Sequence, residues 1–397
     1  ARQAGKTIGG HYPSLDHGRG FHAYLAGGPQ DDHEGTTTEG AIARARQGMK
    51  VMMRYGSSWH DVAEQVKAIT KIGLSPRNFL LCTDDSHSET LYREGHMDRV
   101  LRYAIDEGLD PMTAIQLATI NVAEHFGVAQ ELGMIAPGRY ADIVLVKDLN
   151  DFHADTVIAR GVEIISQGVW KIDLPQISYP DWATSSVHLM RPATAEDFKI
   201  GTFVQNKVIA NVIGVVENQA PTRHLRFSIL PQDGHIPQDL QRDIAKIALI
   251  ERHHASGRYQ VGLVSGFGFN VPCAVATTVA HDCHHMIVVG TDDDDMAIAV
   301  NELAKCGGGQ IVVSQEKILG LVDLPIGGLM SNEPVQVVSQ KAAAVLDGFR
   351  QCGCKLNNPN MQLSLLGLVV IPELRITDLG LVDVNKFDFI PVIEPEV

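Results

Sequence analysis

Short apolar segments alternate with helix-like segments near the start of the chain, and this alternation limits the folds that the region can adopt. Gly48–Arg54 and Asn78–Asp84 each have the pattern of a buried strand bounded by polar or turn residues. Between them, apolar residues at helical spacing predict a helix over Trp59–Ile72. Alternating strands and helices are typical of a parallel α/β sheet. The sequence therefore predicts an α/β fold for this region.

Two further helices are predicted before the pattern changes. The first covers Leu91–Glu107. The second begins after Asp110, a favourable N-cap residue, with Pro111 at its first position. It is expected to end at Phe126, since Gly127 follows immediately.

The rest of the chain is predicted to form two more regions. Short strands separated by turns over 133–146 and 156–170 indicate a small β unit. The segment 176–193 is rich in Pro and Ser and is predicted to be a linker, followed by an α+β domain over 194–397. The strands predicted in that domain are 208–216, 261–266, 286–289 and 311–313, and its predicted helices are 295–305 and 334–349.

Composition excludes several classes of protein. The chain has 397 residues, with 33 Lys and Arg against 47 Asp and Glu, so its formal net charge is −14. This negative charge disfavours binding to a nucleic-acid backbone, but it does not exclude a free nucleobase as the substrate. An apolar run of about 18 residues, which a membrane span needs, is not found, and the first eleven residues are too polar for a signal peptide. The six Cys are sparse, which favours reduced thiols and a cytoplasmic protein.

Three side chains that can bind metals follow strand-like segments: His11, His33 and Asp84. In a parallel α/β barrel the active-site residues lie at the C-terminal ends of the strands, so we expect these three to converge. Imidazole and carboxylate groups suit a divalent metal, which lowers the pKa of a bound water. The alternative is that each His is a hydrogen-bonded structural residue.

Longer motifs extend over nearly the whole chain. In the first part they are Gly10-His11 with Pro13, Asp32-His33-Glu34, GMKVMMRYGS at 48–57, LCTDDSH at 81–87, ATINVAE at 118–124 and IAPGRYADIV at 135–144. In the last part they are Glu251-Arg252-His253, 262–268, 280–284 and LPIGGLMS at 324–331. On these motifs the chain resembles the bacterial adenine deaminases of the amidohydrolase superfamily. The first set occurs in several amidohydrolases, and the last set is peculiar to adenine deaminases.

The resemblance implies a metal-dependent TIM-type (β/α)8 barrel, a small β-sandwich unit and an α+β C-terminal domain. Residues 1–130 would form the second half of the barrel, strands 5–8, and residues 131–175 the β-sandwich segment. His11 resembles the ligand on strand 5, His33 the ligand on strand 6, and Asp84 the strand-8 Asp that also transfers protons. Because a whole barrel takes roughly 250 residues, strands 1–4 are expected from a longer precursor or from another chain.

Further residues receive roles from the same resemblance. Glu34, Asp85 and His87 are the candidates for the acid that protonates the substrate ring. Arg54 is expected to bind substrate, although Tyr55 stands where the family usually has an acidic residue. For His281 and His284, closure over the substrate is one interpretation and a hydrogen-bonded turn is the other.

The reaction that the resemblance implies is hydrolytic deamination of adenine to hypoxanthine and ammonia, a step of purine salvage. Iron or manganese is favoured over zinc as the metal, in a binuclear centre in the complete enzyme, and a homo-oligomer without nucleic acid or membrane is expected. One alternative is another amidohydrolase that opens a cyclic amide. The other is a chain without catalytic activity that binds purine or assembles with partners.

Overall fold

A computed structural model describes residues 2–175 and 177–396. Contacts between residues divide the chain into two units, 1–176 and 177–397. The predicted domain limits at residues 1, 176 and 397 lie outside the described residues.

The first unit contains the predicted parallel sheet. Its strands are β1 (Asp31–Asp32), β2 (Lys50–Arg54) and β3 (Phe79–Cys82), paired in that order. The strand predicted before His11 is not formed in the described residues 6–10; the Ile8 carbonyl there accepts a hydrogen bond of 2.8 Å from the Gln30 N–H, just before β1. The parallel pairing confirms the predicted α/β class, and it places the carboxyl ends of β1, β2 and β3 at one edge.

The helices of the first unit are shorter than the sequence pattern indicated. They are α1 (Arg19–Ala26), α2 (Thr38–Arg46), α3 (Val62–Gln65), α4 (Lys67–Thr70), α5 (Ser88–Arg93), α6 (Met97–Asp106), α7 (Pro111–Ala118) and α8 (Ile120–His125). The predictions of one continuous helix over 59–72, over 91–107 and over 111–126 were therefore wrong. Each range is divided between two short helices: α3 and α4, α5 and α6, and α7 and α8. Between α5 and α6 the reason is Gly95, whose φ of +105° is incompatible with a continuing α-helix. The predicted cap of α7 is confirmed, because the Asp110 carboxylate accepts from the Thr113 N–H at 2.9 Å.

Helices α2, α3, α6 and α7 pack their apolar faces on β2 and β3. The buried side chains of this core include Val51, Met53, Val62, Val66, Phe79, Leu81, Val100, Leu101 and Leu117. Burial of each such side chain contributes roughly 1.5–3 kcal/mol, so the core can hold the strand ends in place.

A small antiparallel sheet ends the first unit. Its strands are β4 (Ile143–Val146), β5 (Ala154–Ala159), β6 (Val162–Ser166) and β7 (Val169–Trp170), paired in sequence order. The strand pattern predicted over 133–146 forms a strand only from Ile143 onward. The preceding residues turn instead, with Gly138 at a φ of +80° that favours glycine.

The segment predicted as a linker carries structure of its own. It includes the short helix α9 (Asp181–Thr184), in which Ala183 is buried. Farther along, the His188 N–H donates to the Arg252 carbonyl at 2.8 Å. By its contacts, the described part of this segment belongs to the second unit.

The second unit is built around a nine-stranded sheet. Its strands are β8 (Val208–Gly214), β9 (Arg223–Ile229), β10 (Ala245–Ile250), β11 (Tyr259–Ser265), β12 (Ala274–Thr277), β13 (Met286–Gly290), β14 (Gly309–Ser314), β15 (Lys317–Asp323) and β19 (Ile393–Pro395). The order is β15-β14-β12-β13-β10-β11-β8-β19, and β9 also pairs with β8. A separate three-stranded sheet contains β16 (Leu374–Ile376), β17 (Leu381–Asp383) and β18 (Asp388–Ile390).

Three helices accompany these sheets: α10 (Asp293–Cys306), α11 (Val335–Gln351) and α12 (Pro359–Leu365). The acidic run Asp292–Asp295 lies at the N-terminus of α10, where the Asp292 carboxylate accepts from the N–H groups of Asp294 and Asp295. All six Cys are free thiols. In the described ranges, every helix is too short or too polar to cross a lipid bilayer.

Candidate metal centre

In residues 2–175 and 177–396, one group of His, Cys, Asp and Glu side chains is close enough to share a metal ion: His11, His33 and Glu34. One ligand atom from each lies within 4.8 Å of the others. Glu34 Oε1 is 3.0 Å from His11 Nδ1 and 3.5 Å from His33 Nε2. The structure thus brings the two predicted imidazoles together, and it adds Glu34, which the sequence had suggested only as an acid.

The backbone explains this convergence. β1 ends at Asp32, so His33 and Glu34 stand directly at the carboxyl end of a parallel strand. His11 reaches the same place because Gly10 passes very close to the adjoining chain. A Cβ on Gly10 would lie 2.9 Å from the Asp31 carbonyl oxygen, and it would also meet the Tyr24 hydroxyl.

Arg54, at the end of β2, connects the metal-binding group to Asp84. Its Nη1 is 3.3 Å from Glu34 Oε2 and 2.8 Å from Asp84 Oδ2, while Nε donates to Asp61 Oδ2 at 2.7 Å. The Arg54 side chain is only 4% exposed, and its guanidinium is directed at these three carboxylates. Asp84, predicted as the third ligand, is therefore held beside Arg54 and is not among the three converging groups. The ligand role of Asp84 and substrate binding by Arg54 both stay predictions.

The charges around Glu34 favour its ionised form. Burial alone would oppose ionisation of Glu34, but Arg54, together with His11 and His33, outweighs burial and lowers the pKa of Glu34. Burial likewise acts against the charge of Arg54, and Asp61 and Glu34 more than compensate, so the pKa of Arg54 is raised. Glu34 is thus poised to act as an anionic ligand at neutral pH.

Asp85 and His87 lie in the loop that follows β3. Asp85 Oδ2 accepts from the Ser58 N–H at 2.8 Å, and the His87 N–H donates to Ser57 Oγ at 2.8 Å. The carboxylate and imidazole face each other, with 3.9 Å between Asp85 Oδ2 and His87 Nε2. Burial lowers the pKa of His87 despite the neighbouring Asp85 carboxylate, and Asp85 Oδ1 is buried without a hydrogen-bond partner.

His281 and His284 belong to the second unit. Their ring centroids are 5.9 Å apart, and His281 Nδ1 is 2.8 Å from Asp282 Oδ1. The His284 N–H donates to the Ala280 carbonyl at 2.6 Å, which closes a turn, and the His253 ring donates to the Cys283 carbonyl at 2.9 Å. These contacts describe a hydrogen-bonded turn, and substrate binding by the two His stays a prediction.

A buried ion pair and a buried His–Asp contact beside the metal-binding group were not predicted from the sequence. Arg44 Nε donates to Asp32 Oδ2 at 2.5 Å, and His125 Nε2 lies 2.6 Å from Asp31 Oδ2. The sequence does contain an indication of these contacts, because two adjacent Asp residues in a buried strand require polar or charged partners. Which partners they find depends on helices that the sequence pattern does not place in space.

Comparisons with known proteins place these features in a class. A model of the amidohydrolase family matches residues 35–164, which include Arg54, Asp84 and Asp85. A model of the adenine deaminase C-terminal domain matches residues 219–388. The parallel α/β sheet and the first match define the class, the amidohydrolase family.

Full-length relatives narrow the class. The chain is 54% identical over 386 residues to an adenine deaminase of Mesorhizobium japonicum, covering 97% of this chain and 64% of that one. It is 53% identical over 392 residues to adenine deaminase 3 of Rhizobium meliloti, covering 99% and 66%. For an adenine deaminase of Moorella thermoacetica the identity is 45% over 391 residues, covering 98% and 65%. The chain belongs to the adenine deaminase family, and it spans 64–66% of the length of these relatives.

Among solved structures, a β-aspartyl dipeptidase of Fervidobacterium islandicum overlaps 43% of this chain and 50% of its own. The TM-score is 0.35 and the sequence identity is 18%. Similarity at this level supports no conclusion about this chain.

Proposed function

We propose that this chain carries part of the active site of an enzyme that hydrolyses adenine to hypoxanthine and ammonia. The observation that supports the proposal is the convergence of His11, His33 and Glu34 in a chain whose curated relatives are adenine deaminases. The whole-enzyme activity and its substrate are proposals, because the chain spans 64–66% of those relatives.

The residues present fit a divalent metal ion, which the amidohydrolase family implies. Two imidazoles and one carboxylate are donors that iron, manganese and zinc accept, and three protein ligands leave a coordination position open. Iron or manganese is proposed in preference to zinc, with a second metal in the complete enzyme. When bound, the metal supplies an activated water at neutral pH.

The proposed roles of this chain's own residues follow from their contacts. Arg54 neutralises part of the repulsion between Glu34 and Asp84 and holds both carboxylates in place. Asp84 is the proposed proton carrier, which takes a proton from the attacking water and delivers it to the ring nitrogen or the leaving ammonia.

Asp85 is the acid that we propose beside the purine ring. Its Oδ2 atom accepts from the Ser58 N–H at 2.8 Å, which fixes the carboxylate, while the buried Oδ1 has no hydrogen-bond partner among the described residues. His87, whose pKa is lowered by burial, is neutral at pH 7 and is better suited to orient Asp85 than to protonate adenine.

The domain roles are proposed on the family match. Residues 1–130 would be strands 5–8 of a (β/α)8 barrel, residues 131–175 a β-sandwich segment, and residues 194–397 the adenine deaminase-type C-terminal domain. The match over 219–388 supports the last of these assignments. A homo-oligomer is proposed as the assembly.

The test is ammonia release from adenine by the protein loaded with Mn²⁺, compared with the variant Asp84→Asn. The asparagine can still accept from Arg54, so the fold should persist while the rate falls by about 10²–10⁴. Asp148→Asn, at an exposed loop position, is the control. Equal rates for the parent and Asp84→Asn would contradict the proposal, and turnover of cyclic amides but not of adenine would favour the other amidohydrolase chemistry.

A further inference from the structure

Asp32 and Arg44 form an ion pair that is completely enclosed, with side-chain exposures of 0% and 1%. Arg44 Nε donates to Asp32 Oδ2 at 2.5 Å. Asp32 immediately precedes His33, and Arg44 comes from helix α2, which follows the metal-binding group in sequence. The pair therefore lies next to one segment that bears candidate ligands.

The same two side chains also hold the second such segment, through the residue that follows His11. The Tyr12 N–H donates to Asp32 Oδ1 at 2.6 Å, and the Tyr12 carbonyl accepts from Arg44 Nη2 at 2.7 Å. Both polar backbone groups of Tyr12 are thereby fixed by one ion pair. Arg44 Nη1 donates in addition to the Gly40 carbonyl at 3.1 Å, which fixes the guanidinium against its own helix.

His11 depends on such a connection because regular structure does not position it. Residues 6–18 contain neither helix nor strand, and the His11 side chain is 72% exposed. Its ring meets only Glu34 and His33 among the contacts within the described ranges. An exposed side chain on an irregular segment would sample many positions unless the neighbouring backbone were held.

We propose that Asp32 and Arg44 are positioning residues that set His11 against His33 and Glu34. Neither of them belongs to the group that could hold the metal, so they act through the backbone of Tyr12. The inference rests on the proposed function in one respect, namely that this group binds a divalent metal. Residues outside the ligand shell that orient ligands commonly change metal affinity by about 10–100-fold.

Asp32 and Arg44 could instead only stabilise the fold. Replacing both by apolar side chains distinguishes this structural role from the proposed positioning role. Replacing a buried ion pair by apolar side chains of similar volume is often neutral or stabilising, whereas removing one partner alone is strongly destabilising. The double variant Asp32→Leu with Arg44→Met should therefore fold, yet it lacks both hydrogen bonds to Tyr12. Arg44→Lys is a second, milder variant, because a lysine can pair with Asp32 but cannot serve Tyr12 at the same time.

The first measurement is Co²⁺ affinity from optical titration of the purified full chain, with thermal unfolding followed by circular dichroism. We expect the double variant to unfold near the parent temperature while its Kd rises by about tenfold or more, with Arg44→Lys intermediate. Arg102→Met is the matched control, because Arg102 also joins separate segments, through Asp98 and the Phe152 carbonyl, away from the metal-binding group. A folded double variant with parent affinity, or an equal loss in Arg102→Met, would overturn the proposal.

The second measurement does not depend on metal. In chain selectively labelled at His, an NOE between the imidazole protons of His11 and His33 reports their ring-centroid separation of 4.4 Å. We expect this NOE in the parent and its loss in the folded double variant and, in part, in Arg44→Lys. Its retention in both variants would overturn the positioning role. A parent chain that shows the NOE but binds no Co²⁺ would contradict the proposed function while supporting the positioning role.

Discussion

Arg54 and Asp84 form an ion pair across the ends of two neighbouring strands, with Nη1 and Oδ2 2.8 Å apart. Because β2 lies between β1 and β3, a guanidinium at its end can reach the groups that follow both neighbours. Arg54 accordingly contacts Glu34 on one side and Asp84 on the other. One cation thus connects the candidate metal ligand with the proposed proton carrier.

Replacing Arg54 should strongly reduce activity, although Arg54 is not one of the candidate metal ligands. In Arg54→Met, Glu34, Asp61 and Asp84 lose their shared cation, so we expect ammonia release from adenine to fall by about 100-fold or more. Steady-state assays at saturating Mn²⁺ would measure this loss. Arg93→Met, which removes an exposed ion pair with Glu89, should leave the rate unchanged; a parent-like rate in Arg54→Met would contradict the assigned role.

Gly10 should tolerate no side chain. A Cβ there would press on the Asp31 carbonyl and on Pro29 Cβ, each at 2.9 Å, so Gly10→Ala should destabilise the fold by about 1–3 kcal/mol and weaken metal binding. Denaturant unfolding and metal titration would measure both effects. Gly20→Ala is the control: it lies in α1, its Cβ would meet Tyr12 Oη at an ordinary 3.6 Å, and it should be neutral or stabilising by up to about 1 kcal/mol.

Metal should raise the stability of the chain by mass action. At a free metal concentration about 100 times Kd, the free energy of unfolding should increase by about 2.7 kcal/mol. Thermal unfolding with and without Mn²⁺, and after chelation, would show this. His33→Ala should abolish the increase, whereas His153→Ala, at an exposed position, should retain it. The same increase in both variants would place the metal elsewhere.

Glu251 should give the second unit a defined sensitivity to acid. Its burial opposes ionisation, but N–H groups of Ser256, His254 and His253 donate to the carboxylate and lower its pKa to about 2. Since this pKa lies below the unfolded value of about 4.3, the stabilisation is complete above that value and is lost as pH falls toward 2.

The variant Glu251→Gln tests this pH dependence. It should be less stable than the parent by about 1–3 kcal/mol at pH 7, because its amide donates where the carboxylate accepted. The difference in unfolding free energy should shrink as the pH drops from about 4.3 toward 2. Denaturant unfolding at several pH values would measure it, and a difference that does not change with pH would contradict the assignment.

Much of the local structure follows from the sequence. Apolar runs between polar boundaries predicted β2 and β3, and the N-cap Asp110 predicted the start of α7. Each of these features depends on residues close together in the chain. The breaks at Gly95 and Thr119 did not follow, because a helical spacing of apolar residues continues across both interruptions.

The sequence by itself determined the strand that precedes Asp84 and offered His11 and His33 as metal-binding side chains, although residues 6–10 before His11 form no strand. Only the tertiary structure decided which carboxylate joins them. Glu34 does so because it follows His33 directly at the end of β1, whereas Asp84 meets the other side of Arg54 and is not in the converging group. The pairing of Asp32 with Arg44 was equally invisible, since helix α2 brings its arginine to Tyr12 across 32 residues of chain. Side-chain partners distant in sequence are chosen by packing, which local pattern does not encode.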